Sequence, residues 1–294
     1  MTATSAPKDV LIPINGREFH IRDWGGTGQP FVLLHGLAST CHIWDQVAPI
    51  LAQNYSVVAM DQRGHGQSAK PNHGYDFATV GSDLMGLIES RKLERPIVVG
   101  HSWGGDVALE FAVAHPGVAR GICLVDGGMI EPSVRYANLA DARDAMAPPV
   151  FTGVTLPEFV ARIRSRRDGP VMTPEFEAAI LANFEVLEDN TIRAWLTRDN
   201  HLRIIDALWD HHPPALYPKV ECPVLVMPAR RQDSPEAAER NARRAESVQA
   251  AVDAMPSSKV VWLEDSIHDV PVQRPRLVAG VIQEHVESGF FGHS

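Results

Sequence analysis

The stretch that decides the fold runs from Pro96 to Ala114: Pro-Ile-Val-Val-Gly-His-Ser-Trp-Gly-Gly-Asp-Val-Ala-Leu-Glu-Phe-Ala-Val-Ala. Its first residues form a short β-branched apolar run, the pattern of a buried strand. Its last residues are apolar almost all round (Val107, Ala108, Leu109, Phe111, Ala112, Val113), the pattern of a buried helix over Trp103–His115. Between them stands Gly100-His101-Ser102-Trp103-Gly104, a G-x-S-x-G placed between strand and helix. A serine on so tight a turn needs small neighbours two positions to either side, because the backbone is crowded there. Gly100 and Gly104 supply them, and Ser102 then projects its hydroxyl beyond the sheet, over a helix N-terminus that favours negative charge.

Outward from this turn the same alternation recurs. Strands are expected near Val10–Ile14, Arg17–Trp24, Phe31–His35, Tyr55–Asp61, Ile97–Gly100, Gly121–Asp126, Val224–Pro228 and Lys259–Leu263. Helices are expected near Ile43–Gln53, Phe77–Arg91, Trp103–His115, Pro235–Ala254 and Pro271–Ser288. Strands alternating with helices build a mostly parallel sheet with helices on both faces. Asn15-Gly16 is a hairpin signal, so the sheet begins antiparallel. The expected fold class is α/β with eight strands.

The alternation stops after Asp126 and resumes only at Cys222. Residues 129–216 are richer in proline, arginine and aromatics, with helices expected at Leu156–Arg167, Pro174–Leu187, Thr191–Arg198 and Ile204–Asp210. This reads as a helical cap inserted into one α/β core made of residues 1–128 and 217–294. A length of 294 residues suits either one such unit or two domains.

Composition excludes several function classes. With 27 Lys+Arg against 36 Asp+Glu the formal charge is −9, without the basic surplus that holds nucleic acid or an anionic membrane surface. Cys41, Cys123 and Cys222 are too few and too scattered for a disulfide framework, and no CxxC suggests zinc. No apolar run approaches a membrane span, and the N-terminus has no signal-peptide core. The expectation is a cytoplasmic protein acting on a small molecule; a homodimer is compatible with these features.

A hydroxyl is a poor nucleophile at neutral pH, so Ser102 needs a base, and the base an orienting acid. In the chain order usual for this turn the histidine comes last. His268 fits, following Val260-Val261-Trp262-Leu263 and preceding a helix start at Pro271. Asp126, ending the strand beside that of the nucleophile, is the preferred acid because a short tether orients imidazole better than a loop. Asp233, beyond the polar loop Ala229-Arg230-Arg231-Gln232, is the alternative. The oxyanion formed on attack needs preorganised donors. The backbone amides of Trp103 and Leu37 are the candidates, while His35 reads as a residue ordering its loop.

These features together resemble an α/β-hydrolase fold protein with a helical cap, over nearly the whole chain. His35-Gly36 followed by Trp44, and Asp61-Gln62-Arg63-Gly64-His65-Gly66-Gln67-Ser68, are similar to the H-G and D-x-R-G-x-G-x-S loops of that superfamily. The resemblance implies hydrolysis of esters, lactones, thioesters, amides or activated C–C bonds with no metal or organic cofactor. Two departures stand out: Ile267 occupies the position of the family's usual glycine before the histidine, and Ala229-Arg230-Arg231-Gln232-Asp233 replaces the usual G-x-x-D. The second agrees with members that place the acid after the sixth strand, where Asp126 stands.

The expected activity is therefore serine hydrolysis of a small, mostly apolar carboxylic ester or lactone through an acyl-enzyme. A C–C bond hydrolase or a cofactor-free perhydrolase would use the same residues, and a slowly hydrolysing ligand receptor is the non-enzymatic alternative. Dehalogenase and epoxide hydrolase chemistry needs a carboxylate nucleophile, which Ser102 cannot be. Gly25-Gly26-Thr27-Gly28 lacks dinucleotide-loop spacing. His211-His212 before Pro213-Pro214 reads as a linker, and Arg162, Arg164, Arg166 and Arg167 as a solvated face. Of the insertion's aromatics, Phe151, Phe159, Phe176, Phe184, Trp195 and Trp209, most read as its own core.

Overall fold

A computed structural model describes residues 6–165, 171–231 and 235–292. Strands β1 (Lys8–Ile14), β2 (Arg17–Gly25), β3 (Pro30–Leu34), β4 (Ser56–Met60), β5 (Ile97–His101) and β6 (Gly121–Val125) come first, with helices α1 (Ala48–Leu51), α2 (Phe77–Ser90) and α3 (Trp103–Ala114) between them. Residues 129–216 carry α4 (Pro132–Arg135), α5 (Leu139–Ala145), α6 (Leu156–Arg164), α7 (Pro174–Leu181), strands β7 (Phe184–Val186) and β8 (Ile192–Ala194), α8 (Arg198–Trp209) and α9 (Pro213–Leu216). The chain then adds β9 (Val224–Met227), β10 (Ala229–Arg230), α10 (Pro235–Ala254), β11 (Ser258–Val260), β12 (Leu263–Glu264), α11 (Val270–Gln273) and α12 (Pro275–Glu287).

The main sheet has eight strands in the order β1-β2-β4-β3-β5-β6-β9-β11. β1 and β2 pair antiparallel through the Asn15-Gly16 turn, β2 meets β4 antiparallel, and the pairings from β4 onward are parallel. The fold is that of an α/β-hydrolase.

Period-2 alternation explains why the central strands are apolar at every position. Phe31 and Leu33 of β3, Ile97 and Val99 of β5, Cys123 and Val125 of β6, and Leu225 and Met227 of β9 join one buried cluster, shared with α1 and α12. Val32, Leu34, Val98, Ile122, Leu124, Val224 and Val226 point the other way, into a cluster shared with α2, α3 and α10. A strand buried on both faces needs this continuous hydrophobicity. α3 is the apolar helix the sequence predicts, packed beneath β5 and β6 with Val107, Ala108, Leu109 and Phe111 buried.

Five expected elements differ. The helix expected over Ile43–Gln53 is only a 3-10 turn at Cys41–Trp44 and the single turn α1, because the Pro49 ring would clash with the carbonyl four residues earlier. Pro275 likewise divides the C-terminal helix into α11 and α12. Thr191–Arg198 is not a helix: Ile192–Ala194 is β8, paired antiparallel with β7, which takes up the last residues of the helix expected over Pro174–Leu187. Its turn carries Asn190 at φ +63° and Asp189 accepting from the Thr191 amide, chemistry that asparagine and aspartate favour. The last strand stops at Val260, and Leu263–Glu264 pairs with β10 instead.

The chain leaving β6 and the chain returning after α8 meet at Asp106 on α3. Its carboxylate accepts from the amides of Gly128 (3.3 Å) and Ile130 (3.0 Å) on the way in. On the way back His211 sits 3.1 Å from Asp106 Oδ1 through Nε2 and 2.8 Å from Glu110 through Nδ1, its side chain fully buried. Burial would lower the His211 pKa, but hydrogen bonds to the two carboxylates outweigh it and push the ring up to about 9. A pKa raised in the folded state contributes stability that is complete below about 6.5 and is lost as pH rises through 9. The melting temperature of wild type relative to His211→Gln is therefore expected to fall across pH 6.5–9. A difference that stays constant across that range would contradict a charged His211.

Candidate active site

Ser102 lies between β5 and α3 with φ +52° and ψ −126°, a conformation in which an L-residue is strained. Close packing holds it there. A Cβ on Gly100 would lie 2.0 Å from the Gly104 carbonyl oxygen, and one on Gly104 would lie 2.6 Å from the carbonyl oxygens of Leu34 and His35. The Ser102 amide donates to Val125 O at 3.0 Å, tying the turn to the end of β6. Gly104→Ala must displace backbone rather than side chain, and is expected to lower stability by about 1–3 kcal/mol or more. Its urea midpoint measures this, and a wild-type midpoint would show that the turn can relax.

The end of β6 and the loop after β12 converge on this serine. His268 Nε2 is 3.0 Å from Ser102 Oγ, and its Nδ1 is 2.6 Å from Asp126 Oδ2. Hydroxyl, imidazole and carboxylate thus stand in series, with Nδ1–H donating to the acid and Nε2 left to accept from the serine. The Asp126 side chain is 4% exposed and that of His268 55%, so the acid is sheltered while the ring opens to solvent. Burial would raise the Asp126 carboxyl, but the His268 hydrogen bond and the Arg244 charge hold it below the usual carboxylate range. Burial would lower His268, but its hydrogen bond to Asp126 and that residue's charge raise it. An imidazole in this setting gains basicity toward a proton leaving Ser102.

Asp233, the alternative acid, lies outside the described residues, as do Arg166 and Arg167. Asp126 has further partners: the Ala229 amide of β10 donates to its Oδ1 at 2.7 Å, and Arg244 of α10 bonds the same oxygen.

The histidine loop is held from two sides although Ile267 replaces a glycine. The Ile267 amide donates to Gln273 Oε1 at 2.8 Å, and the positive φ of the turn (+51°) falls on Asp265. His101 Nε2–H donates to the His268 carbonyl at 2.8 Å, and the two rings lie 4.8 Å apart. Burial, reinforced by the His268 charge, pushes His101 down to about 3, so it is a neutral donor at working pH. Only its place inside G-x-S-x-G could have signalled this role in the sequence.

The second amide expected near the serine belongs to the His35–Ser39 loop. A Cβ on Gly36 would stand 2.9 Å from Ser102 Cβ, so this loop runs against Ser102 and only glycine fits. His35 and His65 fix its shape. His35 Nε2 accepts from the Gln62 amide at 3.0 Å while its Nδ1–H donates to Gly36 O, and His65 Nε2 accepts from the Ala38 amide at 3.2 Å. Burial lowers both rings, keeping them neutral. The loop places the Leu37 amide beside Gly36, and Trp103 opens α3 with its own. Among the described residues no protein group accepts from either amide.

Further out, Asp61 ties the same loops together. Its Oδ1 accepts from the Cys41 amide, and its Oδ2 from His20 Nδ1 and the Gln67 amide. His20, Cys41 and Asp61 have donor types a metal could use, but the carboxylate oxygens are committed to these hydrogen bonds, and a Cβ on Gly66 would lie 1.9 Å from one of them. Within residues 129–216, Phe151, Phe159 and Phe184 meet edge to face or tilted, with ring centroids 4.8–5.6 Å apart, in a small apolar cluster separate from the two clusters of the sheet.

The model of the alpha/beta hydrolase family matches residues 31–281. Curated relatives include a soluble epoxide hydrolase of Corynebacterium sp. (strain C12), 37% identical over 113 residues that make up 38% of this chain and 39% of that protein. A non-heme chloroperoxidase of Streptomyces lividans is 38% identical over 112 residues, 37% of this chain and 41% of that one. The chain thus spans about two fifths of the length of these relatives. Among solved structures, E-2-(acetamidomethylene)succinate hydrolase superposes with a TM-score of 0.76 at 21% identity, covering 96% of this chain and 99% of that one.

Proposed function

We propose that this chain, which belongs to the alpha/beta hydrolase family, is a serine hydrolase that cleaves a small, mostly apolar carboxylic ester or lactone through an acyl-enzyme. The observation that carries this reading is the unbroken series Ser102 Oγ, His268, Asp126 on a strained turn. Ser102 Oγ attacks the carbonyl carbon while His268 Nε2 takes its proton. Asp126 holds the ring in the tautomer with Nδ1–H and stabilises the imidazolium. The amides of Leu37 and Trp103 receive the oxyanion. Collapse expels the alcohol, which takes the proton from Nε2. Water then attacks the acyl carbon with His268 as base, and the carboxylic acid leaves as Ser102 recovers its proton. Residues 129–216 serve as a cap over the site.

Relatives named as an epoxide hydrolase and a fluoroacetate dehalogenase match only a third or so of this chain. The nucleophile position decides against importing those activities. An alkyl-ester intermediate needs a carboxylate, and a serine there would form an ether that water cannot readily open.

Stopped-flow hydrolysis of short- and medium-chain aryl esters tests the proposal. An initial burst of phenol, stoichiometric with enzyme, is expected, followed by slower turnover, and a parallel panel of lactones defines the better substrate. Turnover of an epoxide or an alkyl halide with none of any ester or lactone would overturn it.

A further inference from the structure

Arg244 on α10 is unaccounted for by the mechanism above, yet it touches the acid. Asp126 divides its oxygens: Oδ2 faces His268, whereas Oδ1 accepts from the Ala229 amide and from Arg244 Nη2. The other arm of the guanidinium, Nη1, donates to the Ala229 carbonyl at 2.7 Å. The planar fork therefore binds both the carboxylate and the residue whose amide donates to it, closing a ring of three hydrogen bonds that joins the end of β6, β10 and the middle of α10. A single amide bond pins one point of a carboxylate and leaves rotation about its last bond. A second donor with fixed geometry removes that freedom.

We propose that Arg244 is a positioning residue for the reaction above: its clamp on Oδ1 keeps Oδ2 aimed at His268 Nδ1 and sets the basicity of the Asp126–His268 pair. The inference rests on the proposed roles of Ser102, His268 and Asp126. β10 thus supplies an amide, and α10 an arginine, to a carboxylate just past the end of β6.

The electrostatics have a definite sign. The groups facing the pair are Arg244 on Asp126, neutral His101 against the His268 ring, Asp269 beside His268, and Arg243 in the adjoining cavity. The Arg244 charge lowers both Asp126 and His268. Without it the carboxylate holds the imidazolium proton more tightly, and more acid must be removed before His268 can act as base. That cavity, about 320 Å³ and lined by Leu124, Met129, Ile130 and Ser247 as well as both arginines, abuts the clamp. Removing the Arg244 side chain extends it to Asp126 Oδ1 and makes room for a free guanidinium ion.

The test compares aryl-ester hydrolysis by wild type, Arg244→Ala and Arg244→Lys from pH 5 to pH 10. For Arg244→Ala the expected kcat loss is about 10-fold, a fraction of what a general base contributes, at unchanged KM. The acidic limb of kcat/KM is expected to move up by about 0.5–1 pH unit. Arg244→Lys restores the limb, having the charge, but only part of kcat, lacking the fork. Guanidinium chloride at tens of millimolar partly restores kcat of Arg244→Ala and leaves wild type unchanged. A wild-type pH profile and kcat in Arg244→Ala overturn the inference, as does a kcat loss with neither pH shift nor rescue, which marks a purely structural residue. If Arg244→Ala does not fold, Arg244→Gln gives the same comparison. Ser102→Ala separates the two readings: retained turnover sinks the serine mechanism and this inference with it, whereas an inactive Ser102→Ala beside an unaltered Arg244→Ala sinks the inference alone.

Discussion

Ser102→Ala is expected to lower kcat for aryl esters by about 10⁵–10⁶, the scale of loss when the nucleophile of a cooperating triad is removed. The variant keeps its fold. Gly36 and Gly127 pack against Ser102, and Gly100 against Gly104, so the positive φ at position 102 is held by its surroundings, and alanine adds no atom there. Near-wild-type melting with the burst abolished is the expected pair of results. KM is expected to rise toward the dissociation constant of the ester, because no acyl-enzyme then accumulates to lower it. Turnover within tenfold of wild type would mean that another group attacks, and the mechanism would fall.

Asp126→Asn is expected to cost about 10⁴ in kcat, and the geometry says why an isosteric change is so damaging. Asp126 Oδ1 is held by two donors, the Ala229 amide and Arg244. An asparagine must keep its carbonyl oxygen on that side and turn its NH₂ toward His268. Facing a donor, the imidazole must present a bare Nδ1 and carry its proton on Nε2, the nitrogen that has to accept from Ser102. The base is thus locked in the wrong tautomer, and the imidazolium loses its counter-charge. Asp233→Asn is expected to stay within about twofold of wild type, since neither effect operates there. Loss in Asp233→Asn with none in Asp126→Asn would move the acid to the later loop. Both rate comparisons belong above the acidic limb, because the raised His268 pKa puts a growing share of the base in its protonated form as pH falls.

Much of this architecture is local and therefore readable. G-x-S-x-G between a β-branched run and an apolar helix specifies strand, turn and helix by sterics acting over a few residues. Asn15-Gly16 specifies the hairpin in the same way. Errors fell where a single residue overrode a periodic pattern: Pro49 broke one expected helix, Pro275 another, and Asp189-Asn190 made a hairpin from a segment with helical spacing. The site was readable where chain order constrains it, as for His268. The preference for Asp126 over Asp233 rests on tether length and on the departure from G-x-x-D at Ala229–Asp233.

By itself, then, the sequence determined the α/β alternation, the turn bearing Ser102 and the residues able to form a proton path, because these follow from backbone sterics and short-range pattern. Only the tertiary structure decided which groups share one space. His101 under the His268 carbonyl, His35 and His65 fixing the loop against Ser102, and Arg244 on Asp126 lie 27 to 167 residues from their partners. Contacts of that range depend on how helices and strand ends pack, and no spacing along the chain encodes the packing of one residue against another so far away.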